Sequence, residues 1–341
     1  MAIYGFTLLR NGLKYDYPYL ESLRSLCAFC DEVFLALGAS DDGTEKTLSE
    51  FKNLVVVPTV WDENLRKSGL ILSQQTNVAL AALRARHKSG WGMYLQADEV
   101  LHEKDFPLIR ADAAAADKEG ADAISFRYLH FWQSYHRIAI GRRWYPQEIR
   151  AVRLDSAAES SGDAQGFSSV RKRYESEAAV YHYGHVREAQ AYERKKSDFH
   201  RWWHDDESLG KVLAKGEKRD AREPTLPYYG PQPSFMRDRI GASFAPSAPM
   251  DATVFGRAEE FGSLSGRVKA RLRWTSSPAD LFAGPAGKLV VLQPLAVWDR
   301  VLAWFRRRSS VPCRMKSPQA REWTKEFQAV LKFSEQGIYV E

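Results

Sequence analysis

The sequence predicts an α/β domain on a doubly wound, mostly parallel sheet, followed by a basic C-terminal extension. Three observations carry this prediction. Short apolar or β-branched runs alternate with helical stretches through the first 130 residues, the fourth such run ends in paired carboxylates, and the excess positive charge is confined to the tail. The 341 residues, 44% apolar and 12% aromatic with ten Trp, make a folded protein with room for one large domain or two ordinary ones. No apolar run approaches the roughly 18 to 20 residues of a membrane-spanning helix. The N-terminal stretch turns polar after Leu9 and lacks a small-residue cleavage site, so a cytoplasmic location is the expectation. Cys27 and Cys30 form a C-x-x-C pair, but with only Cys313 remaining there is no second pair to complete a zinc site, and they read as small buried residues.

Taken in order, residues 2–9 read as the first strand, 17–29 as a helix, 33–38 as a strand, 44–51 as a short helix and 54–60 as a β-branched strand. Residues 68–86 then read as a long helix, 92–96 as a buried strand, 105–119 as a helix and 121–131 as a longer strand. This order predicts parallel βαβ units, whose ligands sit beyond the carboxyl ends of the strands. The alternation weakens after about residue 140, and Pro and Gly become frequent after Pro224.

The chemistry-bearing residues fall at those strand ends. The fourth strand terminates in Gln96, Ala97, Asp98 and Glu99, placing two carboxylates where a divalent cation such as Mg2+ or Mn2+ can be held jointly by protein, water and substrate phosphates. An acidic pair that merely caps the next helix is the alternative. The second strand is followed by GASDDGT, a tight turn whose Thr44 can cap a helix. The third is followed by WDENLRKSG, where Arg66 and Lys67 ahead of a helix start offer a seat for a diphosphate.

The runs GFTLLRNGLKYDYPYLESLRSL, CDEVFLALGASDDGTEKTL, TVWDENLRKSGLILSQQTNVAL, WGMYLQADEVLHE, YLHFWQSYHRI, RRWYPQEIRAVR, GDAQGF and VYHYGHVR, in this order, resemble a bacterial branch of glycosyltransferase family 2. The resemblance spans roughly residues 3–240 and ends with GPQPSFMRDRI. It implies a GT-A fold over residues 1–240, with a donor half to about residue 100 and an acceptor half after it. The implied reaction moves a sugar with inversion from a nucleotide diphosphate sugar to a saccharide or lipid-linked acceptor, in cell-surface polysaccharide or lipopolysaccharide synthesis. By the same resemblance QADE stands in place of the family's Asp-x-Asp motif. Asp98 then matches the metal-binding carboxylate and Gln96 replaces the acid that contacts the ribose. Thr7, Arg10, Asn11, Asp62, Arg66, Lys67, Gln96 and Glu99 are the implied nucleotide-sugar contacts. His182 matches the late histidine that completes the metal shell, with His185 a second choice. Leu37 and Gly38 stand where acidic residues often read the nucleobase.

Cleaving a glycosyl phosphate builds negative charge on the departing diphosphate and requires a base for the acceptor hydroxyl. Asp163 in GDAQGF and Glu148 in WYPQEIR are the candidates, with Asp163 favoured; an ion pair of Glu148 with Arg150 or Arg153 is the competing reading. His200 and His204 are spaced i, i+4, but an apolar stripe from Ala189 to Trp203 accounts for that segment by helix packing. A sugar nucleotidyltransferase shares the fold but needs a Gly-rich, basic loop after the first strand, where this chain has Leu9, Arg10, Asn11 and Gly12. A non-enzymatic polyanion-binding protein accounts for the charge but not for carboxylates at a strand end.

Residues 265–341 hold 14 Lys and Arg against 6 Asp and Glu, net +8, leaving 35 against 37, net −2, in residues 1–264. A near-neutral body with a cationic tail does not point to nucleic acid. Leu295, Trp298, Val301, Leu302 and Phe305 recur at helical spacing and run into Arg306, Arg307 and Arg308, the pattern of a helix near 295–308 lying on an anionic membrane at the inner face of the cell. Packing of that helix on the protein's own core is the alternative.

Overall fold

The computed structural model describes residues 1–62, 65, 68–139, 143–187, 191, 223, 225–228 and 230–242, with the backbone of 331–334 and 337–340. Four strands build the parallel part of the sheet: β1 (Ile3–Leu9), β2 (Val33–Gly38), β3 (Leu54–Thr59) and β4 (Trp91–Tyr94). β1 is central, with β2 and then β3 on one side and β4 on the other, all parallel. The period of two sorts their side chains between two layers. Phe6 and Leu8 of β1, with Phe34 and Ala36 of β2, pack towards helix α2 (Leu70–Arg86) with its Leu80 and Leu83. Leu9, Leu35 and Leu37 point the other way and meet Tyr19 and Leu23 of helix α1 (Tyr19–Phe29). In α1, Tyr19, Leu23, Leu26 and Phe29 recur at helical spacing and are buried, each stabilising the fold by roughly 1.5–3 kcal/mol. β3 is the edge strand, which is why it tolerates Pro58 and leaves Val56 exposed.

The second half of the sheet is antiparallel, which the predicted βαβ order does not anticipate. After β4 come β5 (Glu99–Leu101), α3 (Phe106–Lys118), β6 (Ala123–Trp132), β7 (Arg137–Ala139), β8 (Gln147–Arg153), the hairpin β9 (Glu159–Ser161) and β10 (Gly166–Ser168), and the long β11 (Arg173–His185). β8 lies antiparallel between β4 and β6, and β11 pairs antiparallel with β5, setting His182 opposite Glu99. The parallel order β3-β2-β1-β4 reverses between β1 and β4, so the crevice at their carboxyl ends is the topological switch point where open α/β sheets bind ligands.

The predicted helix at 44–51 is a 3-10 helix, Thr44–Glu50, preceded by Gly43 at φ 84°. Thr44 does not cap it: its hydroxyl accepts from the Gly12 N–H at 2.9 Å and donates to Asp42, tying this turn to the end of β1. Cys27 and Cys30 are free thiols, and burial raises Cys27 to about 12, which removes it from thiolate chemistry. No helix among the described residues is long and apolar enough to cross a membrane.

The chain divides into two compact units, residues 1–129, 147–217 and 233–239 forming the first and residues 130–146, 218–232 and 240–341 the second. Within the first, the Arg239 guanidinium pairs with Asp16, and Ser234 N–H donates to Glu103 Oε1 at 3.0 Å. In the second, β7 pairs with β12 (Thr225–Pro227) and, through Ile138 and Phe131, with the end of β6. Arg143 there lies 4.7 Å from the ring centres of both Trp132 and Trp144, and Glu223 joins Arg143 and the Trp144 indole N–H, each at 2.7 Å. After the short helix α4 (Arg237–Ala242), the remaining described backbone is a hairpin of β13 (Leu331–Ser334) and β14 (Gly337–Val340). The helix expected near 295–308, His200, His204 and Cys313 lie outside the described residues.

Candidate functional site

The loop leaving β1 is locked to the turn after β2. Asn11, at φ 54°, donates its N–H to Ser40 Oγ at 3.0 Å and accepts from the Asp41 N–H through its side-chain oxygen at 3.0 Å. The N–H groups of Gly12, Leu13 and Lys14 follow, donating to Thr44 Oγ1, Thr44 Oγ1 and Asp42 Oδ2. Asp42 accepts from the Lys14 N–H and from the N–H and hydroxyl of Thr44, and although burial opposes it, these donors hold its carboxyl below the usual 3.8. Arg10 donates from Nε to the Ala39 carbonyl at 3.2 Å, and its guanidinium lies 5.6 Å from the Trp61 ring centre. Trp61 can sit there because residue 38 is glycine: a Cβ at Gly38 would fall 2.4 Å from the indole nitrogen. Arg10 and Trp61 thus wall the ends of β1 to β3, with the exposed Asp62 just beyond. Thr7, expected as a donor contact, is buried and gives its hydroxyl to the Leu95 carbonyl at 2.6 Å, bracing β1 against the end of β4.

The QADE turn separates its two carboxylates. Glu99 is fully buried and takes a two-pronged ion pair from Arg150 of β8, Nε to Oε2 and Nη2 to Oε1, both at 2.8 Å. Tyr128 OH and the Gln96 N–H complete its shell at 2.8 and 3.0 Å. Arg150 is packed between the rings of Tyr94 and Tyr128, and its Nη1 reaches the Ile149 and Gln165 carbonyls. Glu99 therefore positions the turn and does not face a donor, a correction to its expected role. It also removes Arg150 as a partner of Glu148, and Arg153 pairs with Asp117 and Asp155 instead.

Asp98 faces the other way, towards β11. Its Oδ1 is 3.8 Å from His182 Nε2, within the span that two bonds of roughly 2.1 Å to one ion reach. Gly184 makes the room: a Cβ there would lie 2.5 Å from His182 Nε2 and 2.7 Å from Asp98 Oδ2. A carboxylate oxygen and an imidazole nitrogen across a cradle of this kind are suited to Mg2+ or Mn2+. Among the described residues no group of three or more His, Cys, Asp and Glu side chains that could hold a metal ion is present. Arg187 stands on the far side of Asp98, Nη2 to Oδ2 3.5 Å, over the ring of Tyr17. Burial raises the Tyr17 phenol well above 10.0 against the opposing charge of Arg187, so the ring stays neutral beneath the cation.

The β9–β10 hairpin closes the site. Gln96 donates its side-chain N–H to the Ala164 carbonyl at 3.2 Å, and Ser73, near the start of α2, donates to the Gly162 carbonyl at 2.8 Å. Asp163 lies between these two anchors, on a turn with Gly162 and Ala164 both at positive φ. Glu148 of β8 reaches the same hairpin, with its Oε1 3.2 Å from where a Cβ on Gly166 would stand and accepting from the Ile149 N–H at 2.9 Å. Both base candidates are thus brought to one hairpin next to Gln96. Arg66 and Lys67 lie outside the described residues. The sequence reading named Arg150 only as a possible partner of Glu148 and not of Glu99, and it missed Gly184 and Arg187. The signal for the last two was present in the run VYHYGHVR, where a glycine and an arginine follow His182 closely.

No family model and no curated protein matches this chain. Solved structures similar to it include S. aureus TarS, at 14% identity and a TM-score of 0.35, covering 64% of this chain and 43% of that one. Residues 1-349 of TarS align at 16% identity and a TM-score of 0.34, covering 58% and 64%. A Desulfovibrio desulfuricans protein assigned as a nucleotide-diphospho-sugar transferase aligns at 10% identity and a TM-score of 0.28, covering 46% and 65%. The chain therefore spans less than two thirds of the length of each of these proteins.

Proposed function

We propose that this chain is an inverting glycosyltransferase of the GT-A type that moves a sugar from a nucleotide diphosphate sugar to a saccharide or lipid-linked acceptor. The observation that carries the reading is the Asp98 and His182 pair across the Gly184 cradle, placed at the β1–β4 switch point. Asp98 and His182 would hold Mn2+ or Mg2+, whose charge, when bound, stabilises the departing diphosphate. Arg10 and Trp61 wall the side where a nucleoside enters, and Gln96 ties that side to the hairpin carrying Asp163.

In the proposed step the acceptor hydroxyl oxygen forms a bond to the anomeric carbon while the bond from that carbon to the phosphate oxygen breaks. The electron pair leaves with the nucleoside diphosphate, and the hydroxyl proton passes to the Asp163 carboxylate, with Glu148 the second choice. The alternative nucleotidyltransferase reading needs free backbone N–H groups after β1 for a triphosphate. Here the N–H groups of residues 11–14 donate to the side chains of Ser40, Asp42 and Thr44, which favours the glycosyl transfer. The test is NMR of the protein with nucleotide sugars and Mn2+. Release of nucleoside diphosphate with an inverted anomeric centre supports the proposal, and production of pyrophosphate from a nucleoside triphosphate and a sugar phosphate contradicts it. The basic tail is proposed to hold the enzyme at an anionic membrane surface.

A further inference from the structure

Arg187 is held in a way that a simple structural arginine does not require. Its side chain is fully buried, Nη1 donates to the Tyr15 carbonyl at 2.7 Å and Nη2 to the Gly184 carbonyl at 2.6 Å, and the guanidinium stacks 4.8 Å from the Tyr17 ring centre. Its Nε is buried with no hydrogen-bond partner among the described residues. The anchors are carbonyls and a ring, so the positive charge is fixed in place, and its nearest approach to Asp98 is an ion pair at 3.5 Å and not a tight hydrogen-bonded one. A guanidinium does not lose its proton in a protein, so burial cannot neutralise it. Any divalent ion held by Asp98 and His182 therefore shares the Asp98 carboxylate with a cation that cannot withdraw into water.

We propose that Arg187 is a built-in competitor for the metal at Asp98 and sets the metal affinity of the site, an inference that rests on the metal reading above. Without the ion, Arg187 compensates the buried Asp98 charge and keeps the cradle assembled. With it, the two positive charges oppose each other, so the free protein binds the ion weakly and the negative diphosphate of a donor offsets the opposition. Arg187 is a positioning residue here; it need not touch the donor.

The test titrates Mn2+ alone, by calorimetry, into the full-length wild-type protein, Arg187→Gln and Arg187→Lys, and follows thermal unfolding with and without Mn2+. Arg187→Gln keeps a donor for the carbonyls but lacks the charge, and it is expected to bind Mn2+ at least about tenfold more tightly than wild type. Its unfolding temperature is expected to fall without metal and to rise more than that of wild type when metal is added. Arg187→Lys, whose ammonium can be neutralised by burial, is expected to fall between wild type and Arg187→Gln in Mn2+ affinity. Should Arg187→Gln be unfolded without metal, Mn2+ is expected to restore its circular dichroism, and failure to do so overturns the inference. Equal or weaker Mn2+ affinity in a folded Arg187→Gln overturns it while leaving the metal reading intact. If neither wild type nor variant takes up Mn2+, both fall together.

Discussion

Asp98 and Glu99 are neighbours in sequence with opposite surroundings, and mutation should separate them. Replacing Arg150 by Met leaves the Glu99 carboxylate buried without its two-pronged partner, and breaking such a pair costs about 3–5 kcal/mol. Urea denaturation of Arg150→Met is expected to show that loss, and an unchanged midpoint would refute a bracing role. Gly184→Ala places a methyl group 2.5 Å from His182 Nε2, so metal-dependent donor affinity is expected to fall at least about tenfold in calorimetry with the fold kept. Asp163→Asn is expected to leave donor affinity intact and lower transfer by about 10²-fold or more. If Glu148→Gln shows that pattern and Asp163→Asn does not, their roles are exchanged. At this scale the sequence exposes Asp98, because a carboxylate closing an apolar strand is unusual. It hides the difference from Glu99, because the deciding partner, Arg150, is 51 residues away.

Elements were legible where one period dominates. β2 matches its predicted span, and β1, β3, α1, α2 and α3 lie within one or two residues of theirs, because burial on both faces or along one stripe imposes a clear repeat. β6 lies within two residues of its predicted span, but the other antiparallel strands were less legible, since β5, β7, β9 and β10 are three residues long and β5, β8 and β11 are stabilised by partners distant in sequence. One such tie is Asp122, which precedes β6 and accepts from the N–H groups of Arg171 and Lys172 ahead of β11. Burial tends to raise its pKa, but those N–H groups and the Arg171 guanidinium outweigh it and hold the carboxyl below 3.8. A depressed folded pKa contributes stability above the unfolded value that is lost as pH falls through the folded one. Wild type is therefore expected to be more stable than Asp122→Asn to urea at pH 7, with the difference shrinking below about pH 4. A difference that persists at low pH would contradict the charge-based tie.

Over the whole molecule, the sheet order and the charge partition answer different questions. The reversal of strand order between β1 and β4 marks the crevice where open α/β sheets bind ligands, and the Asp98, His182 and Gly184 cradle follows β4 there. The +8 excess of residues 265–341 is proposed to serve location, since each Lys or Arg near an anionic surface contributes about 1 kcal/mol of attraction. Wild type is expected to co-sediment with anionic liposomes at low salt, to be released by added salt, and to bind less when Arg306, Arg307 and Arg308 are replaced by Gln. Indifference of the wild type to such liposomes would favour a tail packed on the protein and a soluble acceptor. The central claim is that Asp98 governs a metal-dependent donor site. Its most direct test is calorimetric titration of UDP, GDP and dTDP sugars, with and without Mn2+, into wild type and Asp98→Asn. The account predicts Mn2+-dependent binding of at least one donor by wild type and at least a tenfold loss, about 1.4 kcal/mol, in Asp98→Asn. Donor binding that ignores both Mn2+ and the Asp98 substitution would contradict it.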